Sequence, residues 1–205
     1  MGFSQWLSLL GICLLGAMSP GPSLAVILRS SLSGGRTAGL SAALAHGAGV
    51  GLYGLLTVTG LAVLVTRVPV IFLTLQLAGA LYLVYLGVSA LRDAAPASFA
   101  AAPGTRSSRA AREGFLVAFL NPKLAVFMLA LFSQFLQPGF GTGDKVLMAV
   151  TVALTDACWY ALVVLLLARP GFLERLGRRG PLIERAFGAI LIALALTVLG
   201  RALSM

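Results

Sequence analysis

The sequence predicts an all-α membrane protein with six transmembrane helices, arranged as two inverted three-helix repeats. Three observations predict it. The 205-residue chain is 59% hydrophobic and 10% charged, with a mean hydropathy of +0.99, whereas a soluble chain carries about a quarter charged residues. Its apolar runs suit helical spans of about 20 residues, and they lack the inward-polar alternation of barrel strands. Segments of the first half also match segments of the second at nearly one offset. Six spans take up about 120 residues, which leaves short connections and no folded soluble domain. The chain 1–205 therefore reads as one membrane domain.

The net charge of +9 does not indicate a nucleic-acid partner. The arginines fall between apolar runs, where membrane proteins gather basic residues in cytoplasmic loops. Cys13 and Cys158 lie inside apolar runs without metal-type spacing. The N-terminal run has no basic leader and no clear cleavage site, so it reads as a span rather than a signal peptide.

The spans separate at charge and Pro/Gly punctuation. Helix 1 is expected at about 4–28, and Ser19-Pro20-Gly21-Pro22 must break it, because two prolines remove two amide donors and clash with the preceding turn. Helix 2 is expected at 40–65, where Ala43, Gly47 and Gly51 form a small-residue stripe for close packing. Helix 3 is expected at 70–91. Residues 93–112, rich in Ala, Pro, Ser and Arg, read as a flexible loop between repeat one (about 1–92) and repeat two (about 113–205). Helix 4 is expected at 114–136 with a second break at Asn121-Pro122-Lys123, helix 5 at 146–168 and helix 6 at 182–203. The stretch 170–181 mixes apolar and basic residues, which fits an interfacial segment or a plain loop.

Orientation follows from the basic residues. The first, third and fifth connections carry eleven of the fifteen, whereas the opposite side has only Arg67, Lys145 and Arg201. Both termini are therefore expected outside the cytoplasm.

Three alignments make the repeat. Leu77–Leu81 lies over Ala186–Ile190 at an offset of 109, and Ala43-Leu44-Ala45-His46 over Ala153-Leu154-Thr155-Asp156 at 110. Ser19-Pro20 and Asn121-Pro122 are a matching pair of breaks. A three-helix unit crosses the membrane an odd number of times, so its two copies must be inverted. Inverted repeats with helices broken at corresponding positions point to a secondary transporter's midplane site.

The candidate site residues follow. Where a helix restarts after Pro20, Pro22 or Pro122, its N–H groups and positive dipole end can hold an anion such as a substrate carboxylate. Lys123 lies about 15 Å deep at 1.5 Å per residue. It reads as an anion partner, as the counter-ion of Asp156, or as a side chain reaching back to the surface. Asp156 is the acidic residue well inside a span, a position that is functional by default. Binding a substrate ammonium group, carrying a coupling proton, and a static salt bridge to Lys123 are all open to it. His46 occupies the repeat-equivalent position. Histidine changes charge near neutral pH, so proton coupling stands beside a plain hydrogen-bonding role. Trp159 and Tyr160, one turn after Asp156, either wall a cavity or pack. The Gly-rich stretches Gly34-Gly35 and Gly47–Gly51 lack the Lys-Ser/Thr of a phosphate loop. Neither an enzyme nor a cofactor is expected, and the energy would come from a gradient.

These motifs together resemble the LysE/RhtB family of bacterial amino-acid exporters over essentially the whole chain. The matching residues are Ser19-Pro20-Gly21-Pro22, Gly35–Leu40, Gly79–Gly87, Gly114-Phe115-Leu116, Leu120-Asn121-Pro122-Lys123, Phe127, Asp156, Trp159 and Tyr160. Ser23 stands where the family often has Asn, and Ser133-Gln134-Phe135 where it often has Pro-Gln-Phe. The first departure falls in the expected pocket. The resemblance implies a six-helix carrier of the bacterial inner membrane that exports amino acids, coupled to protons.

The expected partners are an amino acid, protons and membrane lipid, with a homo-oligomer as an option. One intramembrane acid against one base favours a neutral or small zwitterion, with its carboxylate near Lys123 and its ammonium near Asp156. A metal or small-ion exporter and a transmembrane thiol carrier using Cys13 and Cys158 are the alternatives. The first lacks a ligand cluster in the spans, and in the second neither cysteine neighbours a proline break in the sequence.

Overall fold

A computed structural model describes residues 1–92 and 106–203. These residues form seven helices and no strand: α1 (Phe3–Met18), α2 (Pro22–Arg67), α3 (Pro69–Arg92), α4 (Ser107–Phe119), α5 (Pro122–Phe135), α6 (Thr142–Leu166) and α7 (Phe172–Leu203). Within α2, α3, α6 and α7 are four stretches long and apolar enough to cross a membrane. The bent pair α4–α5 makes a fifth, and α1 is a shorter apolar helix.

The breaks fall where the prolines require them. α1 ends at Met18 and α2 restarts with Pro22 at its first turn, while α4 and α5 meet at a 54° bend around Leu120 and Asn121. The connections differ from expectation. The segment expected to link helices 1 and 2 is itself helical and shrinks to one residue, Gly35, with φ 73° and ψ −174°. That backbone state belongs almost solely to glycine. A Cβ at Gly35 would meet nothing within 4 Å, so the effect of Gly35→Ala is one of backbone strain alone. It is expected to cost about 1–3 kcal/mol, read as a lower unfolding temperature in detergent; an unchanged temperature would show that the hinge tolerates a side chain.

Two other expected loops are also helical. Residues 93–105 of the expected flexible loop lie outside the described residues, but Ser107–Arg112 form the first turns of α4. Ala, Arg and Glu favour a helix there. Arg109 Nε donates to Glu113 Oε1 at 3.0 Å one turn on, and Ala110, Gly114 and Ala118 form its buried stripe. Likewise 172–181 opens α7, with Pro181 inside the helix. Leu173 and Leu176 pack beside Tyr160, Val163 and Val164, and that tertiary contact holds the basic segment helical.

Small residues set the helix crossings. A Cβ on Gly47 would lie 2.6 Å from the Ala157 Cβ, and one on Gly51 2.8 Å from the Ala153 Cβ. Residue numbers rise along α2 as they fall along α6, so the two run antiparallel. α3 and α7 also cross antiparallel, at Gly87 and Gly188, where each glycine faces the other's carbonyl oxygen. Between lipid-embedded helices the hydrophobic effect is weak, and close backbone packing of this kind carries association.

Two apolar clusters result. The larger joins α1, α3, α5, α7, the later part of α2 and the start of α6 around Leu9, Val58, Leu83, Phe132, Met148 and Leu191. The smaller joins the earlier part of α2 to the end of α6 around Leu24, Ile27, Leu28, Ala42 and Val163. The buried polar residues Ser19, Ser23, His46 and Asp156 line one cavity together with residues of both clusters.

Candidate functional site

Between the two clusters is a cavity of about 90 Å³, enough for several waters or one small solute. Ser19, Pro20, Gly21, Pro22, Asn121, Lys123, His46 and Asp156 all line it, together with Ser23 and Tyr160. Residues more than a hundred positions apart are brought together there by the two breaks and the α2–α6 crossing. The side chain of Pro122 lies outside the described residues.

Asp156 and His46 form the buried centre of the cavity. The His46 ring is 1% exposed, and its Nδ1 lies 2.6 Å from Asp156 Oδ2. The pair is separated by 110 residues, the offset that aligned helices 2 and 5. His46 Nε2 is buried and has no hydrogen-bond partner among the described residues. The Tyr160 ring packs edge-on against the imidazole at 5.0 Å. One face of the imidazole is thus fixed by a carboxylate and an aromatic ring, while its second nitrogen is uncommitted.

The option of Lys123 as the counter-ion of Asp156 is not realised. Lys123 is the second residue of α5, is exposed, and makes no ion pair among the described residues. Its tie to Asp156 was expected because both were placed at depth in the sequence; the crossing of α2 and α6 brings His46 closer. Of the two aromatic residues after Asp156, Tyr160 walls the cavity, whereas Trp159 packs in the smaller apolar cluster.

The two helix restarts differ. At α5 the Asn121 side chain accepts from the N–H groups of Lys123 (3.0 Å) and Leu124 (3.4 Å), so its own cap takes the donors. At α2 no side chain caps the start, and Gly21 precedes Pro22. Pro22 has no N–H, which leaves the amides of Ser23 and Leu24 as the uncommitted donors of the first turn. Of the two starts, only that of α2 leaves its first-turn amides without a side-chain acceptor.

Sequence reasoning missed Glu184. It lies in α7 one turn after Pro181, is half-buried, and accepts a hydrogen bond from Ser19 Oγ at 2.7 Å. Its place near the start of an expected span made it look like an end residue, and no local signal could show that α7 reaches the first break. Cys13 lines the cavity, while Cys158 is exposed; both are free thiols. No group of three His, Cys, Asp or Glu side chains suited to a metal ion occurs among the described residues.

A family model described as LysE type translocator matches residues 14–201. Among similar proteins is an uncharacterized membrane protein of Pseudomonas aeruginosa, 30% identical over 78% of this chain and 77% of the relative. A homoserine/homoserine lactone efflux protein of Salmonella typhi is 31% identical over 67% of this chain and 68% of the relative. A threonine efflux protein of Escherichia coli strain K12 is 24% identical over 86% and 88%. No solved structure matches.

Proposed function

Because the chain belongs to the LysE type translocator family, we propose that it is a secondary transporter exporting neutral or small amino acids, driven by the proton gradient. The observation that carries this reading is the cavity, where a broken helix, an uncapped helix start and a buried Asp–His pair meet. The amino acid's carboxylate would take the Ser23 and Leu24 amides, with Lys123 opposite as a mobile cation. Asp156 and His46 would carry the coupling proton, since a carboxylate already paired to an imidazole is suited to exchange one.

Two features support the inverted-repeat architecture with six spans, in which α1 and the first part of α2 form one broken helix and α4–α5 another. The cross-half pairs α2–α6 and α3–α7 are antiparallel, as equivalent helices of inverted copies must be. Residues at equivalent positions touch only near a pseudo-twofold axis, and His46 meets Asp156 there. In this arrangement the end carrying Arg29, Arg109 and Arg178 faces the cytoplasm of a bacterial inner membrane.

The test is counterflow from proteoliposomes loaded with a panel of amino acids. Expected is exchange of small neutral substrates such as threonine and homoserine, accelerated by an inwardly directed proton gradient. Exchange that ignores the gradient would remove the coupling, and metal-ion flux without amino-acid flux would favour the small-ion alternative.

A further inference from the structure

The proposed function leaves the substrate's ammonium group without an assigned place, because Asp156 is already engaged by His46. We propose that the ammonium is held at the C-terminal end of α1 by Ser19 and that Glu184 is the positioning residue that makes Ser19 fit for it. This assignment rests on the amino-acid reading of the same cavity and refines it.

The argument starts from the hydroxyl's inventory. A serine has one O–H donor and two acceptor lone pairs. The donor of Ser19 is committed to Glu184 Oε2 at 2.7 Å, so toward the cavity that Ser19 lines it can offer only acceptor capacity. A hydrogen bond to an ionised acceptor also polarises the hydroxyl, which strengthens its oxygen as an acceptor. The partner this selects is a cation with N–H groups.

The backbone at the break acts in the same direction. Ser19 N–H closes α1 on the carbonyls of Leu15 and Gly16. The last carbonyls of the helix lack intrahelical partners, and this end carries the negative pole of the helix dipole. Ala17 lines the cavity beside them. Three residues further on, α2 begins with its positive pole. The break therefore presents acceptors on one side and donors on the other, which matches the two charged groups of an α-amino acid.

Glu184 is held where it can do this by contacts of its own helix. Gly180 of α7 approaches Pro20, so that a Cβ there would lie 3.7 Å from the proline ring. One turn beyond Glu184, Phe187 lines the cavity and packs edge-on against Phe127 at 5.8 Å. Glu184 does not line the cavity itself, and so acts through Ser19.

The test compares an amino acid with its 2-hydroxy-acid analogue, which lacks the ammonium, in counterflow by purified protein in proteoliposomes. Glu184→Gln keeps an acceptor for Ser19 but removes the charge. It is expected to raise KM for the amino acid about tenfold, as loss of a charge-assisted contact does, with the maximal rate within about twofold. Inhibition by the hydroxy acid should not change, so discrimination between the two compounds falls. Ser19→Ala should reproduce the effect and Ser19→Thr should restore discrimination, a rescue that a packing role would not produce. Undiminished discrimination in Glu184→Gln, or its loss in Asp156→Asn alone, would overturn the assignment while leaving amino-acid export standing. A wild-type protein that exchanges no amino acid would overturn both.

Discussion

Asp156→Asn is expected to reduce proton-driven efflux by about 100-fold or more, equivalent to roughly 3 kcal/mol in the rate-limiting barrier, in a protein that still folds. The reason lies in the geometry of the pair. An asparagine oxygen can still meet His46 Nδ1 across the present 2.6 Å approach, so the buried contact survives while the exchangeable proton is lost. His46→Ala has the opposite signature. It leaves the carboxylate of Asp156, 7% exposed, without its partner, and removing one member of a buried pair costs about 3–5 kcal/mol. Efflux against an imposed gradient and thermal unfolding in detergent separate the two. Equal stability losses in both variants would show that the pair does not work this way. Wild-type efflux in Asp156→Asn would remove the proton role altogether.

The second large effect is structural. Gly114→Val is expected to destabilise the protein by about 1–3 kcal/mol or more, through overpacking. Any Cβ at Gly114 would overlap the backbone of Ala42, including its carbonyl oxygen, and a backbone cannot turn aside as a side-chain tip can. The consequence extends beyond stability, because α4 leads directly into the Asn121 break. Forcing α4 from α2 shifts the α5 start and with it Lys123. Gly11→Ala is the control: a Cβ there meets nothing within 4 Å, and removing a helical glycine stabilises by roughly 0.5–1 kcal/mol. Unfolding temperatures of the two variants should move in opposite directions. A Gly114 variant as stable as the parent would show that the α2–α4 crossing tolerates a side chain at this position.

Much of the candidate site was legible because its residues break local rules. Pro20, Pro22 and Pro122 cannot sit quietly inside a helix. His46, Lys123 and Asp156 are costly inside an apolar run. Each violation marks its own position without any knowledge of the fold, and Pro20, Pro22, His46, Lys123 and Asp156 all line one cavity. The helix ends were less legible. Arg29–Gly34, Ser107–Arg112 and Phe172–Pro181 carry loop-like composition, yet tertiary contacts hold them helical. Arg29 reaches Glu113 of α4 at 2.5 Å, and Leu173 and Leu176 pack beside Tyr160. Hydropathy reports what lipid will accept, and a segment at the membrane's edge gives it little to read.

The sequence by itself determined that this chain lives in a membrane, where its helices break, and which few charged residues its interior must accommodate. Those are one-dimensional facts, since the cost of a proline or a charge in an apolar helix depends on its neighbours along the chain. The tertiary structure alone decided the partners: His46 rather than Lys123 for Asp156, Asn121 closing its own helix start while that of α2 stays open, and Glu184 reaching Ser19. Partnership depends on which faces cross and how closely. Here glycines at Gly47, Gly51, Gly87 and Gly188 let backbones approach until only certain side chains could meet. No residue's own chemistry names the residue across a helix crossing.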